Sequence, residues 1–130
     1  MRSTVTKETA LAALTGESGY ASAAESVFRL FSDSAGKHPE AFAHLLRAID
    51  FQLSPTKEVA LIGEDLNELA AVVRSELRPH LVLAGGPEGS SAPPLLQSRA
   101  TADGRPTAYV CESFTCKAPV SDPQALVPLL

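Results

Sequence analysis

Two short apolar runs separated by a helix-length segment set the fold that this chain can adopt. Residues 59–62 end at Gly63, and residues 81–84 end at Gly85. A run of four apolar residues bounded by turn residues is too short for a helix and is typical of a strand buried on both faces. We therefore predict a right-handed βαβ unit in which the two strands are parallel.

The segment between the two runs is predicted to be an amphipathic helix. Its apolar residues recur at helical spacing and would share one face. They are Leu66, Leu69, Ala70, Val73 and Leu77. Asp65 and Glu68 have the spacing of a capping box at the first turn, and Pro79 is expected to end the helix.

Three more amphipathic helices are predicted before the βαβ unit, over residues 6–15, 19–35 and 39–53. Thr6 and Ser18 are expected as N-caps, Gly16 and Gly36 as the ends, and Pro39 as a first helical residue. The predicted apolar stripes are Ala10, Leu11 and Leu14; Tyr20, Ala24, Val27, Phe28 and Phe31; and Phe42, Leu45, Leu46, Ile49 and Leu53. A layer of only three such helices leaves one apolar side without a partner.

The whole pattern predicts the α/β class, with α+β as the alternative. Residues 1–54 would form a helical segment and residues 55–130 a small α/β module, together one compact unit. A third short strand is expected over residues 107–111, which can join either edge of the parallel pair. Asp122 followed by Pro123 predicts a short C-terminal helix.

Charge and hydropathy limit the classes of partner. The net charge of −4 is spread along 130 residues without a basic block, which argues against a nucleic-acid surface. The longest aliphatic runs have four residues, so no segment is expected to span a membrane. The N-terminus lacks the apolar core of a signal peptide, so we expect a cytoplasmic protein. No cofactor-binding motif is evident, and we predict no cofactor.

Near the C-terminus, the stretch PTAYVCESFTCKAPVSDP at residues 106–123 resembles the C-terminal signature of a known family. This is the YyaL, or spermatogenesis-associated protein 20, family of thioredoxin-domain-containing proteins. Three further stretches follow the family in the same order: ALTGESGYASAAE at 13–25, HPEAFAHLLRAIDF at 38–51 and KEVALIGE at 57–64. The resemblance covers nearly the whole chain but only the end of the family's length.

The resemblance implies a thioredoxin-like domain followed by a helical toroid similar to those of six-hairpin glycosidases and sugar epimerases. This chain would be a noncatalytic structural segment that completes or caps the toroid. Its partner would be the remainder of the toroid or a second copy of itself. One alternative is a part of a carbohydrate-acting enzyme, and another is a thiol-redox accessory.

Cys111 and Cys116 are the candidate site residues for redox chemistry. Four residues separate them, and the chain could turn back after the third strand to bring the sulfurs together. Lys117 is the nearby residue in sequence that could favour a thiolate. The other interpretations are two small buried side chains or, less in keeping with the spacing, a metal site.

The remaining polar candidates have simpler explanations. Glu64, Asp65 and Glu68 suit a helix cap and the helix dipole rather than acid–base catalysis. The three histidines, His38, His44 and His80, form no legible arrangement of base, nucleophile and orienting group. The glycine-rich turns lack accompanying basic residues and are predicted to be loops. Catalytic residues are not identified, and the chain by itself is expected not to be an enzyme.

Overall fold

Helices make up the first part of the chain and a mixed β-sheet organises the second. The structure is a computed structural model that describes residues 4–113 and 115–130. The chain divides into two compact units, Met1–Ser54 and Pro55–Leu130. The helices are α1 (Thr4–Thr15), α2 (Ser18–Lys37), α3 (Ala43–Leu53), α4 (Asn67–Arg74) and α5 (Pro123–Leu126), with 3₁₀ turns at Pro39–Phe42, Pro94–Leu96 and Val127–Leu129. The strands are β1 (Lys57–Ile62), β2 (Leu81–Gly86), β3 (Thr107–Glu112) and β4 (Thr115–Cys116).

In the first unit, α1 contacts both α2 and α3, and small side chains mark the contact. Val5, Ala24 and Ala48 are buried together, one from each helix. Partly buried side chains surround them, namely Val27, Phe28 and Leu45. Because alanine adds little bulk, the helices approach closely there and leave their larger apolar residues at the margins. The predicted stripe of α3 is therefore partly wrong, since Ala48 is buried whereas Leu46 and Leu53 are exposed.

The ends of these helices differ in part from the sequence prediction. Gly16 follows α1 with φ at +69°, which confirms it as the left-handed residue that ends the helix. Thr6 and Ser18 are not N-caps, because α1 already includes Thr6 and α2 begins at Ser18. Gly36 does not end α2, which continues to Lys37. A glycine near a helix end costs about 1 kcal/mol relative to alanine, which is too little to stop the helix.

The second unit contains a four-stranded sheet in the order β2-β1-β3-β4. β1 pairs with β2 in parallel, with Val59 opposite Leu83, which confirms the predicted parallel pair and its connecting helix. On its other side β1 pairs with β3 in the antiparallel direction, with Val59 opposite Val110. The third strand therefore joins the β1 edge of the pair. The two-residue β4 extends the sheet beyond β3 and was not predicted.

Each face of the sheet has its own cover. On one face α4 and α5 supply the covering side chains. The buried cluster there comprises Val59, Leu61, Leu69, Val73, Ala108, Val110 and Leu126. By the alternation of strand side chains, Ala60 and Ile62 point to the opposite face together with Tyr109 and Cys111. The 3₁₀ turn Pro94–Leu96 contacts β1 and β2, and its two leucines are buried. Burial on both faces explains why residues 59–62 of β1 are all apolar.

The crossover helix α4 is shorter than its apolar pattern predicts. It ends at Arg74, and Leu77 lies beyond it with 91% of its surface exposed. Arg78 Nη1 donates a hydrogen bond to the carbonyl oxygen of Val73 at 2.9 Å, so a side chain satisfies a carbonyl at the helix end. At the other end Asp65 Oδ1 accepts a hydrogen bond from the N–H of Asn67, the first helical residue, at 3.1 Å.

The C-terminal segment folds as the sequence predicts. Asp122 Oδ1 accepts a hydrogen bond from the N–H of Gln124 at 2.9 Å, and Pro123 is the first residue of α5. Leu126 is fully buried against the sheet. Lys57 Nζ donates to the main-chain oxygens of Leu129, at 3.1 Å, and Leu130, at 2.7 Å. Among the described helices, none combines the length and the apolar character needed to cross a membrane.

Candidate functional site

The two cysteines are joined in a disulfide at the edge of the sheet. Cys111 in β3 lies directly opposite Cys116 in β4, with their Cα atoms 3.9 Å apart. Residues directly opposite in an antiparallel pair project to the same face, which brings the two sulfurs together. The sequence alone did not decide between a redox pair, two buried side chains and a metal site. The structure shows that the two cysteines form a disulfide.

The two cysteines of the disulfide differ in exposure. Cys111 belongs to the buried part of β3 and is 2% exposed. Cys116 lies in the short edge strand β4 and is exposed. A reagent that approaches from solvent therefore meets the Cys116 side of the bond first.

Arg99 provides a positive charge next to this disulfide. Its Nη2 lies 3.4 Å from Cys111 Sγ and 3.9 Å from Cys116 Sγ. The guanidinium carbon lies 4.8 Å from the centre of the Tyr109 ring, a favourable cation–π distance. A charge at this distance lowers the free energy of a cysteine thiolate relative to the thiol.

The segment that carries Arg99 is fixed on the sheet face at several points. Arg99 Nε donates to the carbonyl oxygen of Leu95 at 2.6 Å, inside the buried 3₁₀ turn. The Tyr109 hydroxyl donates to the carbonyl oxygen of Ala100 at 2.8 Å. A Cβ atom on Gly86 would lie 3.1 Å from a methyl carbon of Leu96, so glycine lets this turn approach β2 closely. The guanidinium is thereby held over β3 by the fold.

Glu58 adds a carboxyl group to the same face. It lies opposite Cys111 in the β1–β3 register. Partial burial raises the pKa of the Glu58 carboxyl, and the positive charge of Arg99 opposes this in part. The site therefore contains a disulfide, a guanidinium and a partly desolvated carboxyl group on one side of the sheet.

Sequence reasoning identified Cys111 and Cys116 but missed Arg99, Tyr109 and Glu58. Lys117, named as the neighbouring cation, has no side-chain hydrogen bond to sulfur among those described. Its backbone N–H donates to the carbonyl oxygen of Val110. One signal was available for the disulfide. In a hairpin with a two-residue loop, residues five apart lie directly opposite, which is the spacing of the two cysteines.

The other polar candidates stay apart from this site or act in local structure. His38 and His44 lie in the first unit and His80 precedes β2 in the second. Asp65 receives two hydrogen bonds from Asn67, and the neighbouring Glu64 and Glu68 are exposed. Within residues 4–113 and 115–130, no group of three or more histidine, cysteine, aspartate or glutamate side chains could hold a metal ion.

The first unit contains a cavity lined mainly by apolar side chains. The cavity has a volume of about 270 Å³. It is lined by Val5, Val27, Phe31, Ala41, Phe42, His44 and Leu45. Two leucines are strongly exposed, Leu30 on α2 at 73% and Leu53 at the end of α3 at 80%. Among residues 5–54, five side chains are buried and all are of modest size: Val5, Thr9, Ala24, Ala35 and Ala48.

Comparison with known proteins shows that the chain is distantly related to spermatogenesis-associated protein 20. It is 31% identical to the human protein over 109 residues, which are 77% of this chain and 14% of the human one. It is 28% identical to the rat protein over 126 residues, which are 90% of this chain and 16% of the rat one. The chain thus spans about a seventh of the length of these relatives. No protein-family model matches the chain. No solved structure matches it either.

Proposed function

We propose, from the distant homology to spermatogenesis-associated protein 20, that this chain is a noncatalytic C-terminal structural segment of such a protein. In this proposal its first unit completes or caps a helical toroid. The occupant of its apolar surface is a set of further helices, supplied by the remainder of the longer protein. The observation that carries the proposal is the apolar surface that residues 5–54 expose.

The burial pattern supports this role. Helices stabilised mainly by packing normally bury a continuous apolar stripe. Here Phe31 and Phe42, whose ring centres lie 5.9 Å apart, are only partly buried at the cavity. Leu30 and Leu53 project into solvent. Exposed leucines and a partly open apolar cavity in the same unit are features that neighbouring helices could cover.

The length of the relatives supports the choice of occupant. The human relative matches over 14% of its length, so most of that protein lies outside the match and is available to supply helices. A second copy of this chain could cover the same surface in isolation. We expect the isolated chain to associate with a second copy of itself. In the longer protein, its function would be to pack against the other helices.

A carbohydrate-acting role has less support. Glycoside hydrolysis usually needs two carboxyl groups flanking the sugar bond. Among the described lining residues of the cavity, His44 is the titratable side chain and the others are apolar. The carbohydrate role therefore stays a prediction from the family resemblance.

Two measurements test the structural role. Light scattering after size exclusion should give the isolated chain a mass above the monomer value of 13.6 kDa. The separately produced remainder of the human relative should displace this self-association and form a one-to-one complex. Both interactions should be lost in the double variant L30E/L53E, because a carboxylate is costly in an apolar contact.

The matched control is the double variant S26E/Q52E, which adds the same charge at exposed polar positions of α2 and α3. It should associate like the wild type. A wild-type chain that stays monomeric at high concentration and does not bind the remainder would overturn the proposal. Self-association without binding to the remainder would overturn the toroid assignment and leave a homodimer as the function.

A further inference from the structure

We propose that the Cys111–Cys116 disulfide is a thiol–disulfide exchange site for an external dithiol reductant, in which Cys116 is the sulfur attacked and Arg99 stabilises the departing Cys111 thiolate. The proposal is independent of the structural role of the first unit, because all its residues lie in residues 55–130. It rests on the difference in exposure between the two cysteine residues and on the placement of one guanidinium.

Exposure decides which sulfur is attacked. Exchange requires the attacking thiolate to approach along the sulfur–sulfur bond, so the attacked sulfur must be open to solvent. Cys116 meets this condition on its edge strand, whereas Cys111 is 2% exposed. The buried sulfur is therefore the leaving group.

The charge of Arg99 suits the leaving sulfur. A thiolate of lower pKa departs faster, and a positive charge within hydrogen-bonding distance lowers that pKa. Arg99 Nη2 is closer to Cys111 Sγ, at 3.4 Å, than to Cys116 Sγ, at 3.9 Å. Because Tyr109 and the Leu95 carbonyl hold the guanidinium, its charge is in place before the bond breaks.

The exchange balances in two steps. In the first, a thiolate of the dithiol attacks Cys116 Sγ, a mixed disulfide forms, and the bond between the cysteines breaks with its electron pair passing to Cys111 Sγ. In the second, the remaining thiolate of the reductant attacks its own sulfur in the mixed disulfide and releases Cys116 as a thiolate. Two electrons pass to the protein, the dithiol becomes a disulfide, and its two protons pass through solvent to the two cysteines.

The charged and titratable groups facing Cys111 come from three elements. Arg99 approaches from the segment after the 3₁₀ turn, Glu58 from β1 and Tyr109 from β3. A negative Glu58 would oppose a thiolate at Cys111. Because the pKa of Glu58 is raised, part of its carboxyl group is neutral at mildly acidic pH and does not repel the thiolate. At higher pH, where Glu58 is negative, the positive charge of Arg99 offsets its repulsion.

Reduction by dithiothreitol, followed by alkylation and mass spectrometry, tests the proposal. R99Q should slow reduction by about three- to tenfold, whereas R99K should retain most of the rate because it keeps the charge. R74Q is the matched control, since it removes one exposed arginine from α4, the helix that covers the other face of the sheet. Equal rates for R99Q and wild type would reduce the pair to a structural cross-link and overturn the proposal.

Two further measurements separate the role of Arg99 from that of exposure. In the reduced chain, the pKa of Cys111 should be lower in the wild type than in R99Q, because only the wild type has the positive charge beside the sulfur, and equal values would overturn the role of Arg99. The variant C111S keeps only the exposed Cys116, and C116S keeps only the buried Cys111. C111S should therefore react with glutathione disulfide at least about tenfold faster than C116S. The reverse order would overturn the assignment of the attacked sulfur.

Discussion

A Cβ atom placed on Gly63 would lie 3.0 Å from the Cα atom of Pro106. Gly63 directly follows β1, with φ at +146°, and Pro106 directly precedes β3, so the two residues lie next to Ile62 and Thr107, the last register pair of the two strands. G63A should therefore both strain the backbone and push Pro106 away from the sheet. We expect a loss of about 3 kcal/mol in the free energy of unfolding of residues 55–130, measured by hydrogen exchange of β1 amides.

Gly104 shows the cost of a left-handed backbone in the absence of any contact. Gly104 also has positive φ, at +68°, but its Cβ position has no atom within 4 Å. G104A should cost about 1 kcal/mol, from the left-handed backbone alone. Equal losses for G63A and G104A would show that the approach of Pro106 has no energetic weight.

Lys57 ties the start of β1 to the last turn of the chain. Its Nζ donates to the main-chain oxygens of Leu129 and Leu130. K57M keeps the apolar stem but loses both hydrogen bonds, so we expect the opening free energy of the C-terminal segment to fall by about 1 kcal/mol. Faster hydrogen exchange of residues 123–130 would report this. K117M, which removes an exposed lysine, is the control and should leave their exchange unchanged.

The carboxyl group of Glu58 should make stability depend on pH. Burial raises its pKa in the folded chain above the ordinary value of 4.5. Between that value and the raised pKa the folded chain binds more protons than the unfolded one, so the free energy of unfolding falls as pH rises through this window. E58Q should remove this decrease. The stability difference between E58Q and wild type should therefore shift in favour of E58Q from pH 4 to pH 7.

Urea unfolding of both proteins at several pH values measures this difference. E64Q is the control, because it removes a carboxyl group that is exposed after β1. A constant difference between E58Q and wild type over the whole range would contradict the raised pKa of Glu58.

The cap at Asp122 predicts a graded effect of substitution. D122A loses the hydrogen bond to the N–H of Gln124 and should destabilise the C-terminal helix by about 1 kcal/mol. D122N can still accept that bond and should cost much less. Because Leu126 is fully buried, loosening α5 should also expose the sheet face beneath it. Thermal unfolding of both variants measures the difference, and D122N is the control because it keeps the cap hydrogen bond that D122A loses.

Several parts of the second unit could be predicted because burial leaves a direct mark on sequence. A strand covered on both faces admits little but apolar residues, which is why residues 59–62 identify β1. Leu77 was assigned to α4 from spacing alone, but the helix ends at Arg74. There the side chain of Arg78 donates a hydrogen bond to the carbonyl oxygen of Val73. The edge chosen by β3 could not be predicted, since the sequence of a strand is compatible with either neighbour.

The site shows a second limit of sequence reasoning. The two cysteines were legible from their spacing, whereas Arg99 reaches Cys111 only because a turn after Pro94 packs against β1 and β2. That path depends on the buried Leu95 and Leu96 and on the close approach at Gly86. The contact between Arg99 and Cys111 depends on how β3 folds, so the residues around Arg99 in the sequence do not predict it.

The central place of β1 in the sheet has a consequence for synthesis of the chain. Its two neighbouring strands are synthesised at different times. β2 follows β1 closely, whereas β3 is made only after the 44 residues 63–106. Until Thr107–Glu112 leave the ribosome, the nascent chain carries an apolar strand with one open row of backbone donors and acceptors. Chaperone capture during translation should therefore be strongest while this interval is being made.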